Sequence, residues 1–415
     1  MSPGAFTVES SAPVAVHETR TFQQQDVVCS VDADDLIQAI SFAHYAERFR
    51  DKLFVIGLTR NSSIRDLLLD LKVLSAYGIR VVILVPNSDL EKPIQLSNTH
   101  GTRFKLFQAE ESEDAEGRTQ AHVDLLEIQR SSFAGETPVI GAPRDVDFSV
   151  TEQLCVDVSV GLDAHKVLLV SQTSDQIEEV FSRSRVTLSE LDAFAHRMRE
   201  SEVAHFAPRL EGVRHLLEGG VHDVAFIIGK QGRICEEVFT PDGSGILFSR
   251  FDETQIRRAE LGDVTDIGIF IRRESRKGRL LPVDENDIAA DIGSFWLCEV
   301  DAQLVALMRL KRYGNWAEFG AATSLSRERG RRRAGALSAR LLEEAQKEGL
   351  KAVFVLGKDA RMERTFGALG FKEIDRADLP AEWQDGYDMS RPSRAFIKYL
   401  DDGEQGIRPK KSDRR

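Results

Sequence analysis

The residues with the clearest chemical potential form an arginine-rich segment in the second half of the chain. Residues 327–342 read RERGRRRAGALSARLL, in which an arginine-rich loop leads through small residues into an amphipathic helix. Small residues at a helix N-terminus let backbone N–H groups approach an anion, and the helix dipole favours negative charge there. Five arginines add formal positive charge at the same place: Arg327, Arg329, Arg331, Arg332 and Arg333. The segment therefore predicts a pyrophosphate site. A solvated basic loop, with small residues serving only helix–sheet packing, explains the same pattern about equally well.

A general base is the second chemical requirement of many group-transfer sites. The last histidine of the chain is His222, so a base in the region that follows it must be a carboxylate or a relayed water. Glu318 stands in the strand-like run Ala317–Thr323. On its own, Glu318 is better interpreted as an ordinary outward-facing strand carboxylate, so the pattern alone does not assign it a role.

Composition excludes several classes of protein. The chain has 415 residues and a net charge of −12, which argues against a general nucleic-acid binder that neutralises phosphates with excess Lys and Arg. The apolar runs are far shorter than the ~18 residues of a membrane span. Four widely spaced cysteines without a CxxC pair predict neither a metal site nor a disulfide framework. We therefore expect a cytoplasmic protein of two or three domains.

The first half has the pattern of an α/β domain. Leu53–Leu58 and Arg80–Pro86 are short apolar runs of buried-strand type, and leucines at helical spacing lie between them in Leu67–Leu74. Strand, helix and strand of these lengths predict a right-handed βαβ unit in a parallel sheet. The acidic stretch Ala109–Gly117 predicts a solvated loop. A flexible arm over residues 1–25 and a first domain over residues 26–248 follow from this pattern.

After about residue 256 the order of predicted strands and helices differs from that of the first domain. A short strand and a helix within Ile256–Ile271 are followed by strand-like runs, a helix over Leu337–Glu348 and a strand over Lys351–Leu356. This order predicts a second domain over residues 249–402. The polar, basic residues 403–415 predict a flexible tail.

Several segments together resemble a known family. Arg333–Ser338 resembles, in relaxed form, the acyl-CoA pyrophosphate loop of GNAT acetyltransferases, and Gly370-Phe371 resembles a closing motif of that fold. Asp70–Val85, Gly220–Leu247 and residues 379–394 resemble, in the same order, segments of bacterial N-acetylglutamate synthases. The resemblance covers about residues 34–400. It implies an amino-acid-kinase-like open parallel sheet followed by an α+β GNAT domain.

The family resemblance implies a function. Such enzymes transfer acetyl from acetyl-CoA to the α-amine of glutamate, the first step of arginine biosynthesis, and need no metal. Their kinase-like domain is non-catalytic and senses arginine, and they form homo-oligomers. For this chain the resemblance implies an amino-acid substrate, acetyl-CoA as co-substrate and a possible arginine effector, with neither nucleic acid nor membrane as partner.

The resemblance also implies site residues. Glu318 would take the proton of the substrate ammonium. Tyr387 would protonate the departing thiolate, although a packed tyrosine with a locally satisfied hydroxyl is an equally good interpretation. The residues implied for the substrate are Arg391, Ser393 and Arg394. The residues implied for the cofactor are Ala321, Ala322, Thr323, Ser324, Arg333, Ala334, Gly335, Ala336, Leu337 and Ser338.

Departures from the family pattern keep alternatives open. A substrate-binding Arg of the family is replaced within Pro282-Val283, and Gly357-Lys358 replaces two Thr/Ser residues. Gly57–Arg60 lacks the Lys and paired glycines of an active kinase, so phosphoryl transfer is not expected. The alternatives are a catalytically weak or silent ligand-sensing protein and an acetyltransferase for a different amine.

Overall fold

The computed structural model describes most of the chain, with gaps. The described residues are 39, 42–59, 64–86, 102–143, 148–172, 184–328, 330–357, 364 and 366–400. The predicted arm at 1–25 and the predicted tail at 403–415 lie outside these residues. Every element given below belongs to one compact unit, Ser41–Arg415.

The first half forms an open, mostly parallel sheet. In chain order its strands are β1 (Leu53–Leu58), β2 (Arg80–Val85), β3 (Phe104–Gln108), β4 (Glu110–Glu113), β5 (Thr119–His122), β6 (Thr137–Gly141), β7 (Lys166–Ser171), β8 (Arg185–Thr187), β9 (Asp223–Ile228) and β10 (Ile246–Ser249). The strand order is β3-β6-β2-β1-β7-β9-β10-β8. Strand β10 runs antiparallel to β9. Strands β4 and β5 pair separately as a hairpin, where the sequence predicts a solvated loop.

Helices cover both faces of this first sheet. They are α1 (Leu68–Ala76), α2 (Leu125–Phe133), α3 (Phe148–Gly161), α4 (Leu191–Arg199), α5 (Arg209–Glu218) and α6 (Arg233–Phe239). Along β1, Val55 packs into one apolar cluster, whereas Phe54 and Ile56 pack into another. Successive strand side chains point to opposite faces, so a continuous apolar run matches a sheet buried on both sides. The predicted βαβ unit is confirmed.

The second half forms a mixed sheet. Its strands are β11 (Thr254–Arg258), β12 (Phe295–Val300), β13 (Gln303–Tyr313), β14 (Trp316–Ser324), β15 (Ala352–Gly357), β16 (Lys372–Ile374) and β17 (Arg394–Tyr399). The strand order is β11-β12-β13-β14-β15-β17-β16. Strands β14 and β15 are a parallel pair. The helices are α7 (Val264–Arg276), α8 (Glu285–Ala290), α9 (Arg333–Lys347) and α10 (Ala381–Asp385).

The second sheet has its own apolar core, in which Leu337 and Leu341 of α9 pack with strand residues such as Phe319. The predicted boundary between residues 248 and 249 falls inside β10, just before its last residue, and stays a prediction. In the described part of the chain, no helix combines the length and the apolar character needed to cross a bilayer.

Candidate active site

Strand β14 separates from β15 halfway along its length. The two strands pair from Trp316 to Phe319, and the register of the pair ends there. On the other side, Gly320 lies opposite Arg309 while Thr323 lies opposite Leu307, so β14 carries one extra residue. Ala321 has a φ of 50° within this bulge. A bulge takes backbone groups out of the ladder, so they can face a ligand.

A cavity of about 570 Å³ opens beside this separation. It brings together most of the residues predicted for catalysis and substrate binding, and three of those predicted for the cofactor. Those that line it are Glu318, Ala321, Ala322, Thr323, Tyr387, Arg391 and Ser393. Side chains more than 60 residues apart in sequence thus converge at one place.

Glu318 is half-buried on the cavity wall. The Tyr313 hydroxyl donates a 3.4 Å hydrogen bond to its Oε2 atom. Burial raises the pKa of Glu318, and the charges of Lys311 and Arg309 oppose this rise without cancelling it. A carboxylate with a raised pKa in a cavity is suited to accept a proton from an amine.

The Tyr387 hydroxyl has a local partner and also faces the cavity. It lies 3.1 Å from the Ser393 hydroxyl, and its ring stacks on Trp383 at 4.5 Å between centroids. Arg376 donates to the backbone oxygen of Arg391 at 2.8 Å and to Ser393 Oγ at 3.3 Å. These contacts hold the segment before β17 against the cavity, so Tyr387 is placed for either role that the sequence allows.

The structure does not bring every predicted residue to the cavity. The exposed Arg394 side chain pairs with Glu373, with Nε 2.7 Å from Oε1, and does not line the cavity. Ser324 is also absent from the lining, since it lies at the end of β14 opposite Ala306. The prediction that Arg394 binds substrate is therefore not supported by its position, because its charge is directed to a neighbouring strand.

Three cavity cations were missed by sequence reasoning as site residues. Arg309 and Lys311 lie on β13, and Arg279 follows α7. The sequence contained a pattern that could have identified Arg309 and Lys311. Arg309, Lys311 and Tyr313 alternate along one strand, so their side chains share a face. Lys311 lies directly opposite Glu318 in the register.

The N-terminus of α9 has the features of an anion site. The helix begins at Arg333 after Gly330 and Arg332, which have φ values of 83° and 58°, and no described side chain caps it. The first amides of a helix lack intrahelical acceptors. Apart from its chain neighbours and the backbone of α9 itself, no described atom lies within 4 Å of where a Cβ on Gly335 would sit. The backbone at this end is thus accessible and fits a pyrophosphate.

In the predicted cofactor loop the backbone is accessible, whereas the polar side chains of Arg333 and Ser338 are bonded to other groups of the protein. Arg333 is buried and pairs with Asp252 and, through Nε at 3.1 Å, with Glu328. The Ser338 hydroxyl is buried and donates to the Ala334 carbonyl at 2.8 Å. Neither side chain is directed to a ligand, so the backbone amides are the part of this loop that can hold one.

The interpretation of the arginine-rich loop as a concentration of free positive charge is wrong for Arg327, which is buried, and for Arg331, which is half-buried. Arg327 donates to Glu237 Oε2 at 2.6 Å, and Arg331 donates to Glu190 Oε2 at 2.8 Å. Both carboxylates belong to the first half of the chain. A guanidinium removed from water needs a carboxylate partner, so these arginines join the two sheets. Arg329 lies outside the described residues.

A second, smaller cavity of about 150 Å³ lies beside these ion pairs. Glu237 and Arg327 line it together with Lys166, His222 and Asp301. The Lys166 ammonium lies 3.0 Å from Glu237 Oε1. Burial would raise the pKa of Glu237, but Arg327 and Lys166 outweigh burial and lower it to about 2. Glu237 is therefore an ionised carboxylate held between two cations.

Comparison with known proteins finds similarity along most of the chain. A curated amino-acid acetyltransferase of Ralstonia nicotianae is 25% identical over 438 residues, covering 88% of this chain and 95% of the relative. Another, of Neisseria meningitidis serogroup A, is 26% identical over 253 residues, covering 60% of this chain and 57% of the relative. No protein-family model matches the chain.

The solved structures show the same architecture. The crystal structure of N-acetylglutamate synthase from Neisseria gonorrhoeae, complexed with coenzyme A and L-arginine, aligns with a TM-score of 0.51 at 18% identity. The alignment covers 88% of this chain and 99% of that chain. The predicted fold class, an open parallel sheet domain followed by a GNAT-type domain, is confirmed, as is the predicted resemblance to amino-acid acetyltransferases.

Proposed function

We propose that this chain transfers an acetyl group from acetyl-CoA to the α-amine of an amino acid, with L-glutamate as the leading acceptor. The observation that carries the proposal is Glu318, a half-buried carboxylate with a raised pKa at the separation of β14 and β15. The curated relatives named amino-acid acetyltransferases support it.

The chain's residues have separate tasks in this proposal. Acetyl-CoA would supply the acetyl group as a thioester, with the coenzyme A thiolate as the leaving group. Glu318 accepts a proton from the acceptor ammonium, so that the amine becomes nucleophilic. The bulge at Ala321 and Ala322 offers backbone groups to a carbonyl oxygen on which charge develops. Tyr387, held by Ser393, is the proton donor for the leaving group.

Coenzyme A would be held by the backbone of Ala321–Thr323 and by the amides that begin α9. Ala336→Glu is expected to weaken coenzyme A binding by about 10-fold or more, because a carboxylate would meet the anion at the helix N-terminus. The same acid in the first turn is expected to stabilise the helix slightly. Calorimetric titration with coenzyme A measures the first effect and thermal unfolding measures the second.

Ala339→Glu is the matched control, since Ala339 is exposed on the same helix one turn further along. Its affinity for coenzyme A is expected to stay close to that of the unchanged protein. Equal loss in both variants would contradict a coenzyme A site at the N-terminus of α9.

Arg391 is the proposed partner of an acceptor carboxylate, because it lines the cavity and its guanidinium has no carboxylate within 4.0 Å among the described residues. Arg391→Gln is expected to raise KM for L-glutamate roughly 10- to 100-fold, the effect of losing a charged hydrogen-bond partner. Arg394→Gln, only three positions away, is expected to leave KM unchanged. Initial rates over a range of glutamate concentrations decide between the two residues.

The proposal as a whole is tested by an acceptor panel. Purified protein, acetyl-CoA and each free amino acid are assayed for thiol release, and the acetylated product is identified by mass spectrometry. Acetylation of L-glutamate above the other acceptors is expected. Absence of turnover with every amino acid would refute the proposal, and turnover with polyamines or peptides instead would favour a different amine.

Two implied properties are tested with the same preparation. L-Arginine is the proposed effector of the first-sheet domain, and its addition to the panel is expected to change the rate and the unfolding temperature. A homo-oligomer is expected in solution, and light scattering coupled to size-exclusion chromatography measures it.

A further inference from the structure

The cavity beside Glu318 has an excess of positive charge. Among the described residues that line it, the cations are Arg279, Arg309, Lys311 and Arg391, whereas Glu318 is the acid. Two of these cations are already neutralised. Arg279 donates to Glu274 at 2.9 Å, and Arg309 pairs with Asp291 and donates to Ser294 Oγ at 3.0 Å.

Lys311 and Arg391 differ from the other two cations. Within the described residues, neither has a carboxylate oxygen within 4.0 Å. The Lys311 ammonium lies 5.2 Å from the centroid of the Tyr313 ring, and the Arg391 guanidinium lies 6.0 Å from that of Tyr387. Aromatic faces attract cations but do not neutralise them. A partly enclosed cavity with two such cations favours an anionic ligand.

The two cations lie on opposite sides of Glu318 along the sheet. Lys311 is on β13, directly opposite Glu318. On its other side, Glu318 pairs with Phe354 of β15, and β15 pairs with β17, which Arg391 precedes. A ligand whose amine reaches Glu318 therefore meets one cation on each side.

The two cations differ in how close they lie to Glu318, and this difference suggests different roles for them. Lys311 is the cation that acts most strongly on the pKa of Glu318, whereas Arg391 makes no leading contribution to it. In an α-amino acid the α-carboxylate is bonded to the carbon that bears the amine, so it stays close to the base. The side-chain carboxylate reaches further.

We propose that Lys311 is a specificity-determining residue that binds the α-carboxylate of the acceptor, while Arg391 binds its side-chain carboxylate. This inference rests on the proposed acetylation of an amino acid. In this inference the cation that binds the α-carboxylate comes from β13. The family's substrate-binding Arg is missing at Pro282-Val283, where this chain has no basic residue. The Lys311 ammonium is available because it forms no close ion pair with Glu318.

The test is a crossed comparison of variants and acceptors. Lys311→Gln and Arg391→Gln are each assayed with L-glutamate, with L-glutamine, which lacks the side-chain carboxylate, and with L-isoglutamine, which lacks the α-carboxylate. Lys311→Gln is expected to raise KM for glutamate and glutamine roughly 10- to 100-fold and to leave isoglutamine unchanged. Arg391→Gln is expected to affect glutamate and isoglutamine and to leave glutamine unchanged.

Controls separate recognition from folding and from general base chemistry. Lys372→Gln removes an exposed lysine from β16 of the same sheet and is expected to change nothing. Lys311→Arg keeps the charge and is expected to keep the discrimination. A purely electrostatic effect on Glu318 would shift the pH dependence of kcat equally for all three acceptors, and that result would overturn the proposal.

A binding measurement distinguishes this inference from the proposed function. If the unchanged protein acetylates no amino acid, the proposed function fails, and calorimetric titration of the coenzyme A complex with the same three acceptors decides the role of Lys311. Loss of glutamine binding but not isoglutamine binding in Lys311→Gln supports the inference. Equal losses for both amides, or no loss, overturn it.

Discussion

Glu318→Gln is expected to lower kcat for acetyl transfer by roughly 10²- to 10⁴-fold, the usual contribution of a positioned general base. Glutamine keeps the shape of the side chain and can still accept from the Tyr313 hydroxyl, so the substitution removes the proton acceptor and little else. Initial rates at saturating acetyl-CoA and acceptor measure the effect. Circular dichroism and thermal unfolding establish that the variant folds.

The pH dependence of the unchanged protein gives a second view of the same residue. Glu318 must be ionised to accept a proton, and burial raises its pKa. The rate is therefore expected to rise with pH through a value above the ordinary glutamate pKa of about 4.3. In Glu318→Gln this rise is expected to disappear.

Glu382→Gln is the matched control for Glu318. Glu382 is exposed on α10 beside Trp383, and it does not line the cavity. Its substitution is expected to leave both kcat and the pH profile unchanged. If Glu318→Gln retained more than about a tenth of the activity, a proton acceptor other than Glu318 would be required.

Glu237→Gln is expected to lower the free energy of unfolding by about 3–5 kcal/mol, the usual effect of removing one partner from a buried ion pair. The Glu237 side chain has 0% exposure, and those of Lys166 and Arg327 have 5% each. The two cations would remain buried without their carboxylate. Glu237 Oε2 also accepts a hydrogen bond from the Ser244 backbone N–H at 2.8 Å. Chemical denaturation measures the loss.

The pH dependence of stability tests the same ion cluster. The folded pKa of Glu237 is about 2, below its unfolded value of about 4.3. A lowered folded pKa contributes stability that is fully present above the unfolded value and is lost as pH falls toward the folded value. The unchanged protein is therefore expected to lose this contribution between those two values, and Glu237→Gln should lack it.

Glu47→Gln is the control for this prediction, because Glu47 forms an exposed pair with Arg50. Exposed pairs are screened by water and contribute little, so no measurable change is expected. A Glu237 variant as stable as the Glu47 variant would show that the buried cluster does not hold the two sheets together.

Local sequence patterns were sufficient to predict several strands and helices of both sheets. The apolar runs that predicted β1 and β2 are strands in the structure. A continuous apolar run suits a strand that is buried on both faces of a sheet. The helix predicted from Leu337 begins at Arg333 and buries Leu337 and Leu341. The spacing of apolar residues along a strand or helix depends only on residues that are close in sequence, so it can be recognised from the sequence.

Charge pairing could not be predicted in this way. Arg327 and Glu237 are 90 residues apart, and Arg331 and Glu190 are 141 apart, so neither carboxylate belongs to the local pattern of the arginine-rich loop. An arginine with no visible partner was interpreted as free charge. Arg394 was assigned to the substrate through the family resemblance. Its pairing with Glu373 depends on how β16 and β17 meet, which the local sequence does not show.

The sequence by itself determined the succession of an α/β region and a mixed α+β region, the absence of histidine after His222 and, through the family resemblance, Glu318 as the proposed base. Tertiary structure alone decided which charges are available to a ligand. It pairs Arg327 with Glu237 and Arg331 with Glu190 across the two sheets, and it leaves Lys311 beside Glu318 without a close ion pair. The physical reason is that a charge is satisfied by its nearest partner in space, and long-range folding selects that partner.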